Sequence, residues 1–167
     1  MSGTMVTNAD RYWSQFVQSL PPINSPPDSY LEFFYFGSEP EHGRPVGDLV
    51  LSGIKSAGGD ILWRRKAAQE PPLQVGSFSI FHDGHEEPMG IIETTSVEIV
   101  PFNEVDAEFA RAGGEWNGTL ENWRSNYWSW IEEECTRLNR DPTPDIPMIC
   151  ERFRLVFAEQ LMVTDAD

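Results

Sequence analysis

Lysine is scarce in this chain: Lys55 and Lys66 are the only two, and ten of the twelve basic residues are arginine. Against them stand 27 acidic residues, for a formal net charge of −15. A chain this acidic repels polyanions at long range and is poorly steered to nucleic acid. That argues against a large RNA-binding surface and against DNA as a partner, and leaves room for a local basic cleft or a nucleoside-sized ligand. Cysteine is limited to Cys135 and Cys150. Neither has metal-site spacing or a paired motif, so both read as reduced core residues. No apolar run approaches the roughly 20 residues of a membrane helix. The start, "MSGTMVTNADRYW", is polar and lacks the apolar stretch of a signal peptide. The expected location is cytoplasmic, with no membrane partner. Histidine occurs three times, at His42, His82 and His85. In "FHDGHEEP", His82, Asp83 and His85 have the chemistry of metal ligands, but no further ligand sits at a suitable spacing. A polar hairpin turn around Asp83-Gly84 is the better reading. No metal and no cofactor are therefore expected.

What is present is enough for a core. The 167 residues are 40% hydrophobic and 12% aromatic, which excludes wholesale disorder and suits one domain. The sequence divides into an N-terminal helix and connector over 1–28, a main domain over 29–160 and a tail over 161–167. In the first part, "NADRYWSQFVQSLPP" has a cap-type Asn8 and apolar residues at helical spacing, and Pro21-Pro22 end it. "YLEFFYFG" reads as a buried strand. "VGDLVLSGIKS" predicts a short helix with Leu49, Val50 and Ile54 on one face, broken by "AGG". "DILWRRKA" is a strand candidate. "SFSIFHDGHEEPMGIIETTSVEIVPF" predicts a long hairpin. "NEVDAEFARAGG" is a short helix ended by glycines. "GTLENWRSNYWSWIEEECTRLNR" is the strongest helix, capped by Thr119 and striped by Leu120, Trp123, Tyr127, Trp130, Ile131 and Leu138. "MICERFRLVFAEQLMV" closes the chain as a strand. Strands and helices without regular alternation predict an α+β fold around a small, mainly antiparallel sheet or barrel.

Four features carry chemistry. In "GIKSAGG", Gly53, Gly58 and Gly59 strip side chains from around Lys55, so a flat ligand could approach the ammonium. A partly desolvated lysine can act as base or nucleophile. The alternative is a lysine that complements a helix dipole. Strand parity places Glu93 with Ile91, Val97 and Ile99, so Glu93 should point inward and need Arg152, Arg154 or Lys55 as partner. "RAGGEWNGTLENW" joins two helices through glycines, with Glu115, Trp116 and Asn117 on the connection and Thr119 at a helix N-terminus. It reads either as a functional loop or as an ordinary corner. Trp63 and Trp116 are candidates to stack on a base, with core filling favoured for Trp63.

These segments together resemble the ASCH-domain family, of the PUA-like fold. The likeness runs through "FFYFG", "LVLSGIKSA", "ILW", "VGSFSIFHDGHEEPMGIIETTSVEIVPFNEV", "EFARAGGEWNGTLENWRSNYW" and "PMICERFRLVF", from about Tyr30 to Phe157. It implies a small β-barrel with flanking helices and a cleft beside the lysine segment. It also implies action on RNA or modified nucleosides, with some members resembling N4-acetylcytidine amidohydrolases and others ribonucleases or RNA-binding modules. The family signature is Gly-x-Lys-x-x-Thr. Gly53 and Lys55 match it, and Gly58 replaces the threonine. The glutamate that the hydrolytic branch carries in its glycine loop falls at Gly113 here, while Glu115 matches the second acid and Asn117 stands where aspartate is common.

Amide hydrolysis needs an activated nucleophile, a proton donor and oxyanion stabilisation, and Lys55 alone does not supply all three. The preferred expectation is a module that binds RNA, a nucleotide or a modified nucleoside in a cleft lined by Lys55. Gly53, Ser56, Trp63, Glu93, Asn117, Thr119 and Arg124 would be its ligand-binding surroundings. A hydrolase using Lys55 and Glu115, with Ser56 as substitute hydroxyl, is the first alternative. A family member that binds a basic protein partner through its acidic surface is the second. The sequence specifies no oligomeric state.

Overall fold

The computed structural model of the chain describes residues 5–22 and 27–158. Five helices and five strands follow in the order α1 (Asn8–Ser19), β1 (Phe33–Phe34), α2 (Gly43–Leu51), β2 (Ala57–Ile61), α3 (Leu62–Ala67), β3 (Phe78–His82), β4 (Pro88–Pro101), α4 (Ala107–Gly113), α5 (Leu120–Leu138) and β5 (Pro147–Phe157). Among the described residues no helix is long and apolar enough to cross a membrane.

The strands form one sheet in the order β1-β3-β4-β5-β2, antiparallel except for the short β1–β3 pairing. The expected mixed α+β architecture is present, but the sheet does not close into a barrel. Its two edges are β1 and β2, and they are not hydrogen-bonded to each other. The ladder at β1 is only two residues long and soon turns away at Gly37, whose φ is +97°. At the other edge the chain leaves β2 directly into α3. Closure would need continued pairing at both edges. Side chains bridge the gap instead: Arg65 of α3 donates to Glu32, just ahead of β1, at 3.2 Å.

Both faces of the sheet are buried. On one, Tyr12, Trp13 and Phe16 of α1 pack on Ile80, Ile91 and Phe157. On the other, Val46 and Val50 of α2 pack with Phe36, Phe81, Ile92 and Phe153. A third cluster forms where α5 lays Trp123, Tyr127 and Ile131 against Ala57, Met148 and Cys150. Trp123 and Tyr127, four residues apart on α5, stack at 4.2 Å between ring centroids, which fixes the helix face turned to the sheet.

Several local expectations are corrected. The cap of α1 is Thr7, whose hydroxyl accepts from the Asp10 amide, and Asn8 is the first helical residue. Helix α2 ends at Leu51, so Ile54 and Lys55 lie beyond it and Ile54 is exposed. "AGG" does not break a helix; it starts β2, pairing Ala57, Gly58 and Gly59 with Arg152, Glu151 and Cys150. The glycine at 59 answers a packing need. A Cβ there would meet the Tyr127 ring at 3.2 Å, so α5 approaches the strand closely. "LWRRKA" is helical rather than extended. The turn lets Arg64 fold back on Asp60, at helical i, i+4 spacing, and on Glu70, at 2.7 and 2.8 Å, and these short-range ion pairs override strand propensity. The strand expected after Phe157 lies outside the described residues beyond position 158.

Candidate functional site

The unclosed sheet leaves a cleft of about 1090 Å³. Its lining comes from both edge strands, from β3, β4 and β5, and from α2, α3 and α5. Lys55 enters from the segment between α2 and β2 and is 4% exposed. Its Nζ donates to the Gly113 carbonyl at 3.1 Å and to Glu115 Oε2 at 2.9 Å. The two charged partners are sixty positions apart in sequence and meet because two glycine turns nest. Gly114 caps α4 with a φ of +68°, and a Cβ there would lie 2.6 Å from the Ile54 carbonyl oxygen. Only glycine permits both that φ and that approach. The Ser56 amide then donates to the Ala112 carbonyl, tying the lysine segment to α4.

Glu151 of β5 forms another part of the wall. It pairs across the ladder with Gly58. Its Oε2 accepts from the Thr94 hydroxyl at 2.6 Å, and among the described residues no basic side chain forms an ion pair with it. Burial pushes its carboxyl up to about 7, helped by the nearby Glu32 and opposed by the Thr94 hydrogen bond, Arg65 and Lys55. Burial likewise raises Glu32 despite its Arg65 partner, whereas the Arg64 hydrogen bond lowers Glu70. Arg65 is 6% exposed and is held by the Pro71 carbonyl, Glu32, Asp60 and Glu70. The Tyr127 phenol oxygen accepts from the Gly59 amide at 3.2 Å; burial and the neighbouring Glu115 raise its pKa. His82 also lines the cleft. Its Nδ1 accepts from the amides of Gly84 and Glu86, and burial lowers its pKa. Ser79 is buried in the cleft lining, and among the described residues its hydroxyl has no hydrogen-bond partner.

The structure brings together Lys55, Glu115 and Trp116, keeps Gly58 and Gly59 in the cleft lining, and leaves the other sequence candidates elsewhere. Trp116 stands at the cleft with a φ of +55° and 51% exposure. Gly53 and Ser56 sit outside the lining, and Ser56 is exposed. Trp63 packs on the α5 core, with the Arg140 guanidinium 3.4 Å above its ring. Asn117 accepts from the amide and hydroxyl of Thr119, which caps α5 by accepting from the Asn122 amide. Arg124 donates to the carbonyls of Asn103 and Val105. Glu93 does share a face with Ile91 and does pair with an arginine, Arg154. That face, however, is the one under α1, and the cleft is on the opposite side with Ile92, Thr94 and Glu151. The sequence offered no direct signal for Glu151 or Arg65 as cleft residues beyond their charge in otherwise apolar or paired segments. Around the hairpin, Asp83 Oδ1 accepts from the amides of His85 and Glu87, and no cluster able to hold a metal ion occurs among the described residues.

An open, PUA-like α+β sheet with a buried lysine paired to a half-buried glutamate in its cleft defines a class, and comparison with known proteins gives the family. The ASCH domain family matches residues 32–157, and the chain belongs to it. It is similar to the crystal structure of an ASCH domain from Lactobacillus crispatus JV V101, at 25% identity over 89% of this chain and 93% of that one, with a TM-score of 0.79. It is also similar to the crystal structure of a protein from Enterococcus faecalis V583, at 29% identity over 97% of this chain and 96% of that one, with a TM-score of 0.79. No curated protein matches it.

Proposed function

We propose that this chain binds RNA, a nucleotide or a modified nucleoside in the cleft lined by Lys55. ASCH domains are PUA-like modules generally linked to RNA binding. The observation that carries the reading is the Lys55–Glu115 contact inside a cleft with an exposed tryptophan beside it. An ammonium has three donors. Gly113 and Glu115 take two and hold the group in place, leaving one for a phosphate or carbonyl oxygen of the ligand. Trp116 offers a ring on which a base can stack. The cleft volume suits a nucleoside or nucleotide better than a long strand, and the net charge of −15 points the same way.

The same contact favours a second reading, a hydrolase of the N4-acetylcytidine amidohydrolase or ribonuclease type, with Lys55 as base or nucleophile and Glu115 as acid. Gly58 gives that reading no hydroxyl, and Gly113 gives it only a backbone carbonyl.

Calorimetric titration with cytidine, N4-acetylcytidine and short single-stranded RNA, with chromatography of the products, separates the two. Saturable binding without turnover is expected, weakened about tenfold in Trp116→Ala and lost in Lys55→Gln. Turnover that Lys55→Gln abolishes would replace the binding reading by the hydrolase one. Neither binding nor turnover would remove both. Trp116→Ala lies on the surface and keeps the test valid should Lys55→Gln fail to fold.

A further inference from the structure

The charges that line the cleft do not balance. Seven carboxylates face four cationic side chains, Lys55, Arg64, Arg65 and Arg137. Each of the four is already in an ion pair: Lys55 with Glu115, Arg64 and Arg65 with Asp60 and Glu70, and Arg137 with Glu134. Among the described residues, the lining carboxylates left without an ion pair are Glu133 and Glu151. Glu133 stands exposed on α5, where water solvates it. Glu151 is half-buried in the cleft, and the one hydrogen bond it receives comes from Thr94 and falls on Oε2. Close by, a second acceptor is open. Ser79 is 2% exposed, and among the described residues its hydroxyl has no hydrogen-bond partner. It pairs across the ladder with Ile92 and so shares the sheet face of Ile92 and Thr94. A shielded carboxylate without a counter-ion and a buried hydroxyl without a partner are both unfavourable. A positively charged group with N–H donors answers both.

Resting on the binding reading, we propose that Glu151, with Ser79, holds a positive charge on the base of the bound nucleoside, so that the cleft selects cationic modified bases over neutral ones. Methylation of a pyrimidine ring nitrogen, as in 3-methylcytidine, leaves a positive charge delocalised onto the exocyclic amino group. That group has two N–H donors for Glu151 and Ser79. Trp116 reinforces the choice, because an indole face attracts a cationic ring more strongly than a neutral one. The wall connects the two ends of such a ligand. Trp116 stands edge-on to Tyr127 at 5.8 Å, Tyr127 accepts from the Gly59 amide, and Gly58 pairs with Glu151 across the ladder. Gly58 and Gly59 put no side chain in between. Repulsion from Lys55 and Arg65 is offset by Glu115 and by Glu32, Asp60 and Glu70. Burial pushes the Glu151 carboxyl up to about 7, so at pH 8 it is charged.

The test is calorimetric titration at pH 8 with 3-methylcytidine, with its uncharged counterpart 5-methylcytidine, and with spermidine, a cation that has no base. The protein should bind 3-methylcytidine about tenfold more tightly than 5-methylcytidine. Glu151→Gln keeps the shape and removes the charge, so it should bind the two alike. Ser79→Ala should narrow the difference. Glu133→Gln removes an exposed charge of the same sign and should leave the preference in place. Spermidine should bind more weakly than 3-methylcytidine, because it gives Trp116 no ring to stack on. Equal binding of the two nucleosides by the unmodified chain, or a preference that survives in Glu151→Gln, overturns this proposal while leaving the binding reading intact. A preference that Glu133→Gln abolishes as fully as Glu151→Gln would assign it to the general negative field of the cleft and overturn the role given to Glu151. Spermidine binding as tight as that of 3-methylcytidine would overturn the assignment of the charge to a base. No binding of any nucleoside removes both the binding reading and this proposal.

Discussion

Replacing Glu151 by Gln should make the protein more stable, by an amount that depends on pH. The carboxyl is moved from its ordinary 4.5 to about 7 by burial. Between those values the folded protein holds a proton that the unfolded chain has released, so stability falls as pH rises through this window. The cost is absent below about pH 4.5 and complete above about pH 7. At about 1.4 kcal/mol per pH decade it approaches roughly 3 kcal/mol, and partial access of the carboxyl to the cleft trims this to roughly 2 kcal/mol. Glutamine has the same shape, can still accept from Thr94 and has no charge to desolvate. Urea unfolding followed by tryptophan fluorescence at pH 5 and pH 8 measures the difference. The other carboxylates titrate in both proteins and cancel. Glu151→Gln should gain roughly 2 kcal/mol over the unmodified chain between the two pH values. A difference that stays constant, or a loss that grows with pH, would refute the reasoning, because it would mean the charged carboxyl is favoured by the fold.

Four further outcomes follow from other contacts. Lys55→Met should cost about 3 kcal/mol by leaving Glu115 without its cation, and the double variant with Glu115→Gln should cost less than the sum, as a double-mutant cycle by urea unfolding would measure. Gly58→Thr should fold and gain about 0.5–1 kcal/mol, since a Cβ at that position meets only Phe153, at 3.9 Å. Gly114→Ala should lose more than 1 kcal/mol through its left-handed backbone and the Ile54 carbonyl; thermal melts of the two glycine variants decide both. Arg65→Met should lower urea stability by about 3 kcal/mol, since Glu32 and Asp60 would remain partly buried beside fewer cations.

The reach of the sequence can be judged from particular residues. The pairing of Lys55 with Glu115 was legible because glycines flank both, and glycines mark places where backbones approach. Helix α5 was legible from its cap at Thr119 and its stripe. Glu93 shows where periodicity stops. Its parity with Ile91 was right, but alternation names a face without saying what covers it. Both faces of this sheet are buried, one by α1 and one by α2 and the cleft, so "inward" had two meanings. Glu151 stayed hidden for the same reason. Helix α3 was missed although its signal is local: Asp60 and Arg64 stand at the i, i+4 spacing of a helical ion pair and Glu70 follows on the far side, a charge pattern that the apolar reading of the segment passed over. The barrel failed because closure depends on two edges meeting, which no single segment specifies.

The scarcity of lysine gives the cleft a reporter of its own. Lys66 is exposed, and Lys55 is shut in behind Glu115 and the Gly113 carbonyl. Among side-chain amines, an acylating reagent therefore meets one free group and one closed group, in the same chain and under the same conditions. The labelling rate of Lys66 calibrates the reagent, and the rate at Lys55 relative to it measures how often its Nζ leaves Glu115 and the Gly113 carbonyl. Peptide mass spectrometry after timed labelling reads both at once, so the release of Lys55 from its two partners can be timed before any ligand is known.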